Sequence, residues 1–170
     1  MAEVILLRGR PGVGKTTVSN GLQACLHVPI IRKDDIYDAV AGYNDSHELR
    51  NRMSYDILYN MLETNRLLHG RVILDFPFNR AEDMRRFDEW VREQGISLRS
   101  ILCVCSDERI WAERFEARKL APRPNQLITD FEELKRHYGD LSIDPVEGEL
   151  IVDTVENIGA ILERILDYLN

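Results

Sequence analysis

No stretch of the 170-residue chain approaches the roughly 20 consecutive apolar residues that a membrane-spanning helix needs. The start, Met1-Ala2-Glu3, lacks the basic flank and apolar core of a secretory signal, so the expectation is a cytoplasmic protein with no membrane partner. Cysteine is scarce. Cys25, Cys103 and Cys105 make no even disulfide framework, and Cys103-Val104-Cys105 has strand spacing rather than zinc spacing, so all three are expected as buried packing. The four histidines, His27, His47, His69 and His137, stand far apart and form no ligand motif, which leaves them surface or capping roles. Positive charge is outweighed: 22 Lys and Arg against 29 Asp and Glu give a net charge of −7. A long polyanion is bound through a basic field that releases counterions, so nucleic acid is a permitted but disfavoured partner. The Asn-Lys-x-Asp signature of guanine binders is missing, as are repeats, low-complexity tracts and linkers, and the length suits one domain over residues 1–170.

What is present is a phosphate-binding loop, Gly9-Arg10-Pro11-Gly12-Val13-Gly14-Lys15-Thr16. Glycine lets backbone amides turn inward around phosphate oxygens with no Cβ in the way. Lys15 would carry its ammonium to the β and γ phosphates, and Thr16 would offer its hydroxyl to Mg²⁺. Thr17 repeats the hydroxyl, and the helix that follows would aim its positive end at the anion. The motif requires a strand before it and a helix after it. Val4-Ile5-Leu6-Leu7 supplies the first, and Val18, Gly21, Leu22 and Cys25 recur at helical spacing for the second.

Further along, residues 28–31 read as a second strand ending at Arg32-Lys33-Asp34-Asp35. Met53, Ile57, Leu58, Met61 and Leu62 predict one long helix over residues 46–69, closed by Gly70. Residues 71–75 form the third strand, closing on Asp75 before Pro77. A helix over 79–94 has Asn79 as its cap, residues 98–105 are a fourth strand, and Ser106 caps a helix to about Lys119 that Pro122-Arg123-Pro124 interrupts. Thr129 with Glu132 opens a short helix, residues 149–153 are the fifth strand, and Ile158, Ile161, Leu162, Ile165 and Leu169 stripe the last helix. Strands alternating with helices predict a three-layer α/β/α sandwich, with a five-stranded, mainly parallel sheet of the P-loop nucleoside triphosphate hydrolase and kinase type. Right-handed crossovers place all strand C-termini on one edge, where ligands bind, and so gather the loop, Asp34, Asp35 and Asp75 into one cleft.

Phosphoryl transfer to a hydroxyl needs a carboxylate near the acceptor, an acid near the metal and cations around the migrating group. Asp34 and Asp35 stand about twenty residues after Lys15. Only one of them needs to face the γ-phosphate, and the reading gives that work to Asp34 and the cap of a helix beginning near Ile36 to Asp35. Asp75 ends an apolar strand as a Walker B acid would, making Asp75 and Thr16 the metal candidates. Arg114, Arg118, Lys119 and Arg123 form a basic stretch around residues 114–126 that suits a lid. Arg118 and Arg123 are the catalytic candidates beside Lys15. Arg114, one helical turn before Arg118, joins it among the nucleotide contacts.

These features resemble the small P-loop kinases grouped with phage-type polynucleotide 5′-kinase, chloramphenicol phosphotransferase and the zeta-toxin kinases. The shared elements are the loop through Thr17, the Lys33-Asp34-Asp35 step, the strand ending in Asp75 and the Arg-bearing lid. The resemblance implies an ATP- and Mg²⁺-dependent kinase in which Asp34 is general base for the acceptor hydroxyl. It departs from the polynucleotide kinases in its overall acidity and in the apolar run Phe76-Pro77-Phe78 after Asp75. With Tyr55, that run either lines a pocket for a small acceptor or belongs to the core. The expected function is therefore γ-phosphate transfer to a hydroxyl of a small molecule, with a 5′-hydroxyl polynucleotide kinase and an ATP-binding switch as alternatives. Clustering of Arg50, Arg52, Arg85 and Arg86 at the cleft mouth would favour the polynucleotide.

Overall fold

The computed structural model describes residues 2–67, 69–120 and 123–170. Five strands, β1 (Ala2–Arg8), β2 (Ile30–Arg32), β3 (Gly70–Asp75), β4 (Ser97–Val104) and β5 (Leu150–Asp153), pair in the order β2-β3-β1-β4-β5. Every pairing is parallel. The expected fold class is therefore present, and the sheet is wholly rather than mainly parallel. Seven helices complete the described chain: α1 (Lys15–Leu26), α2 (Lys33–Val40), α3 (His47–Asn65), α4 (Ala81–Glu93), α5 (Glu108–Lys119), α6 (Phe131–Tyr138) and α7 (Ile158–Leu169). None is long and apolar enough to cross a membrane.

The central strand shows why the sheet is covered on both sides. Successive side chains of a strand point to opposite faces. Ile5 and Leu7 enter one core with Leu22 of α1, Phe115 of α5, Leu134 of α6 and Ile161 of α7. Val4 and Leu6 enter a second core with Leu58 of α3 and Phe87 of α4. A strand buried on both faces reads as the continuous apolar run seen at residues 4–7.

Several local expectations are corrected. Helix α2 begins at Lys33, not near Ile36, so Asp35 lies inside its first turn and Arg32 occupies the cap position. Aspartates displace the expected caps elsewhere: Asp107 Oδ1, not Ser106, accepts from the amides of Arg109 and Ile110 at α5. Asp130, not Thr129, accepts from Glu133 N at α6. In both places the competing side chain is one residue nearer the helix, and a carboxylate meets the free amides with charge. Asn79 is not the cap of α4, which Arg80 fills without a side-chain bond. Ser46 caps α3 by accepting from Leu49 N, but α3 stops at Asn65, and Gly70 opens β3 instead of closing the helix. On α3 the buried edge is Ser54, Leu58 and Leu62, whereas Met61 is exposed. Cys25 is exposed, because it lies on the outer side of α1, while Cys103 and Cys105 are buried as expected. Burial pushes the Cys103 thiol up to about 12, so it stays protonated and inert. Pro122 lies outside the described residues.

Candidate phosphoryl-transfer site

The loop between β1 and α1 is built on positive backbone angles at Gly9 (φ 145°), Gly12 (φ 81°) and Gly14 (φ 106°). Gly12 has a second constraint: a Cβ there would run into the Phe115 ring, with Trp111 Nε1 only 2.9 Å away. The bare loop thus lets α5 close on it. Trp111 Nε1 donates to the Pro11 carbonyl at 2.9 Å, and Arg114 Nη1 donates to the Val13 carbonyl at 2.7 Å. Arg114 also binds Thr154, just after β5, through its hydroxyl and carbonyl, and the Thr154 hydroxyl in turn reaches Val13 O.

Lys15 opens α1 and folds its ammonium back on the carbonyls of Gly9 (2.8 Å) and Arg10 (3.0 Å). Burial lowers its pKa, opposed chiefly by the Asp75 carboxylate. Gly14 caps α1 without a side-chain bond, and no acidic residue lies in the first turn. The helix end therefore presents free amides to an anion. Pro11, Gly12 and Val13 contribute backbone to the same cradle. Arg10 does so by its main chain alone, for its guanidinium turns away to the carbonyls of Asp140, Leu141 and Ser142 and lies 4.1 Å from the Tyr138 ring centre. Thr17 is exposed on α1.

Asp75, at the end of β3, is buried and takes the hydroxyls of Thr16 (3.4 Å) and Ser19 (3.3 Å) on the same oxygen, Oδ2. Arg32 Nε lies 3.9 Å from that oxygen. Burial raises the Asp75 pKa, while Lys15 and Arg32 pull it down. One carboxylate with two hydroxyls is an all-oxygen set, which fits a hard cation that completes its shell with phosphate oxygens and water. No cluster of three or more His, Cys, Asp or Glu exists among the described residues, so a cage of side chains alone is not the design.

Asp34 projects from the first turn of α2 and is exposed in the cleft. It acts electrostatically on Lys15, on Asp75 and on Arg118, so the three elements that carry those groups meet around it. Asp35 turns outward, 3.8 Å from Arg32. Arg118, near the end of α5, sits 5.4 Å from the Phe115 ring centre, and burial lowers its pKa while Asp34 raises it. Arg123 is exposed and reaches the cleft only through the field it exerts on Asp38. Lys119 is tied outward to Glu116 and Asp130. The aromatic run after Asp75 is core: Phe76 and Phe78 are buried, and Phe78 stacks on Phe87 at 4.7 Å.

Sequence reasoning missed Ser19, Arg32, Trp111 and Thr154. Ser19 was recoverable, because three residues after Thr16 it shares the helix face that meets Asp75. Thr154 had no local signal, since only the β4–β5 pairing brings it to Val13.

Comparison with known proteins places this geometry. A family model described as AAA domain (AAA_33) matches residues 4–137, and the chain belongs to that family. No curated protein sequence matches the chain. Among solved structures it is similar to a protein of Chloroflexus aurantiacus J-10-fl provisionally assigned as a kinase, at 26% identity and a TM-score of 0.76, covering 99% of this chain and 96% of that one. A gluconokinase from Sinorhizobium meliloti 1021 aligns at 16% identity and a TM-score of 0.67, over 98% and 91% of the two chains. The APS kinase CysC of Mycobacterium tuberculosis, in complex with AMPPNP and APS, aligns at 14% identity and a TM-score of 0.63, over 99% and 97%. The last two likenesses establish the fold.

Proposed function

We propose that this member of the AAA domain family is an ATP- and Mg²⁺-dependent kinase that transfers the γ-phosphate to a hydroxyl of a small molecule. The observation that carries the reading is the position of Asp34, whose carboxylate acts on both Lys15 and Arg118 from a solvent-open place in the cleft. A nucleotide switch needs the loop and Asp75; it has no use for a free carboxylate facing the phosphate cations. An acceptor hydroxyl does, because in-line transfer requires its proton to be taken as the new bond forms.

The parts then have separate duties. The amides of residues 9–16 and the Lys15 ammonium hold the β and γ phosphates. Thr16 and Asp75 hold Mg²⁺, which supplies charge neutralisation on the phosphate oxygens when bound. Arg118 balances charge on the migrating group, with Arg123 brought in by the segment that follows α5. Asp34 orients the acceptor hydroxyl and accepts its proton. The whole of residues 1–170 serves as one kinase domain, with residues 114–126 as its lid. The names gluconokinase and APS kinase among the similar folds support a small acceptor. So does the fate of the four arginines whose clustering would favour a polynucleotide: Arg52 is paired with Asp56, Arg86 with Glu82 and Arg50 with Asp45, so that Arg85 alone of the four is exposed without an ion pair among the described residues.

The test is transfer from γ-labelled ATP across a panel of sugars, sugar acids, nucleosides, antibiotics and 5′-hydroxyl oligonucleotides. Label on a small hydroxyl compound is the expected result. Steady ATP hydrolysis with no labelled acceptor would replace the kinase reading with the switch.

A further inference from the structure

The acceptor side of the cleft holds a lysine that the phosphoryl-transfer reading does not use. Lys33 opens α2 immediately before Asp34, is half-buried, and has neither a hydrogen bond nor an ion pair among the described residues. Among the described residues its ring partner is Tyr37, 5.4 Å from Nζ to the centre, and the nearest opposing charge that acts on it is the neighbouring Asp34 carboxylate. In this acidic chain most exposed cations sit opposite a carboxylate, so an unpaired, half-buried ammonium in a cleft is out of keeping with its surroundings.

Two more basic groups gather on the same ring. Tyr37 is buried, and its hydroxyl shares a 2.8 Å hydrogen bond with His47 Nδ1. The Arg50 guanidinium carbon lies 5.5 Å from the ring centre. Arg50 spends its donors on the carbonyls of Asn44 and Ala41 and on Asp45, so it contributes mainly field. Burial lowers the Lys33 pKa, the Asp34 carboxylate opposes this and Lys15 adds to it, while Lys33 in turn acts on His47. Basic groups thus run from the phosphate loop to the start of α3, with Asp34 set between Lys15 and Lys33 and acting on both. Consecutive residues in the first turn of a helix diverge by about 100°. Asp34 serves the phosphate side, and Lys33 serves the side toward α3.

We infer that Lys33, with His47 and Arg50 around the Tyr37 ring, receives an anionic group carried by the phosphoryl acceptor beside the hydroxyl that Asp34 addresses. The inference rests on the kinase reading above and deepens it: the acceptor is a small hydroxy acid or an equivalent small anion, not a neutral sugar. A charged group left unpaired in a partly desolvated site is costly, so a neutral analogue forfeits more than one contact. Lys33 is thus a specificity residue, and its loss acts on acceptor binding rather than on the nucleotide.

The test uses the full chain saturated with AMPPNP and Mg²⁺ and measures binding of two matched pairs by calorimetry, D-gluconate against D-glucitol and D-glycerate against glycerol. Phosphorylation of the same four compounds is then followed with ATP. The expected result is at least tenfold tighter binding of an acid than of its neutral counterpart. That preference should be lost in Lys33→Met and kept in Lys33→Arg, with AMPPNP affinity unchanged in both variants. Equal binding within each pair, or no binding of any of the four, overturns the inference. So does a Lys33→Met variant that loses AMPPNP affinity while keeping its acceptor preference, for the lysine would then belong to the γ-phosphate. Lys33-dependent binding of an acid without transfer to any acceptor would sink the kinase reading and leave the anion site standing.

Discussion

Arg8 and Glu149 form a two-pronged ion pair in the interior, Nε to Oε1 and Nη2 to Oε2 both at 2.6 Å, with neither side chain exposed. Arg8 also donates to the carbonyls of Asp144 (2.9 Å) and Phe78 (3.0 Å). Phe78 holds a φ of 33°, which a residue with a bulky side chain adopts only under constraint. The arginine that ends β1 therefore fixes the loop after β3 and the loop before β5 at once.

Breaking that pair from one side leaves an uncompensated charge in the core. Arg8→Met alone and Glu149→Met alone should each cost about 3–5 kcal/mol, while the combined Arg8→Met/Glu149→Met variant should lose markedly less than their sum. Urea unfolding of the three variants measures it, and a double variant as unstable as the sum of the singles would mean that the pair is not the coupling.

Lys15→Ala removes the only ammonium in the phosphate cradle. ATP·Mg²⁺ affinity should fall by at least tenfold with the fold intact, as read by calorimetry beside circular dichroism. Retained affinity would move the phosphate contact elsewhere.

Asp34→Asn keeps shape and removes the carboxylate proposed to take the acceptor proton. Nucleotide affinity should change little, and turnover should fall by ~10²-fold or more, the scale of acid–base loss. Asp35→Asn, on a side chain that faces Arg32, should leave turnover within about twofold; the reverse ranking would exchange their roles.

Gly12→Ala places a methyl group against Phe115 at a backbone angle that alanine resists. Overpacking of this kind costs about 1–3 kcal/mol. Because the displaced helix carries Arg114 and Arg118, nucleotide affinity should fall as well. Thermal unfolding and nucleotide titration of one sample read both effects.

His47 has its pKa lowered by burial, then by Lys33 and Arg50. The folded state therefore binds its proton more weakly than the unfolded chain, and stability from this group is present above the ordinary histidine range and lost as pH falls through the folded-state value. Between pH 7.5 and 5 the urea midpoint of the parent chain should drop further than that of His47→Gln. Parallel curves would remove His47 from the linkage.

The phosphate loop, the alternation of strands and helices, and Asp75 were legible in the sequence because each is a local pattern with one physical meaning. Glycines at 9, 12 and 14 demand a tight loop, and an unbroken apolar run demands a strand covered on both faces. The caps at Ser106 and Thr129 were misread because an aspartate stood one residue further on, and propensity cannot rank two good caps in sequence. Arg8 was invisible for a different reason. A single arginine at a strand end looks like a solvated flank, and its partner lies 141 positions away. Lys33 lay in plain view inside the Lys33-Asp34-Asp35 step, yet only the packing of α2 on α3 brings Tyr37, His47 and Arg50 around it.

The Thr154 hydroxyl and the Arg114 side chain meet at the Val13 carbonyl, and Glu149 neutralises Arg8 at the root of the same loop. The loop between β1 and α1 is thus held by residues 141 positions further along, so its shape belongs to the closed fold and not to the motif alone. A peptide that stopped before β5 would carry every residue of the motif without the Thr154 contact that holds Val13 in this shape.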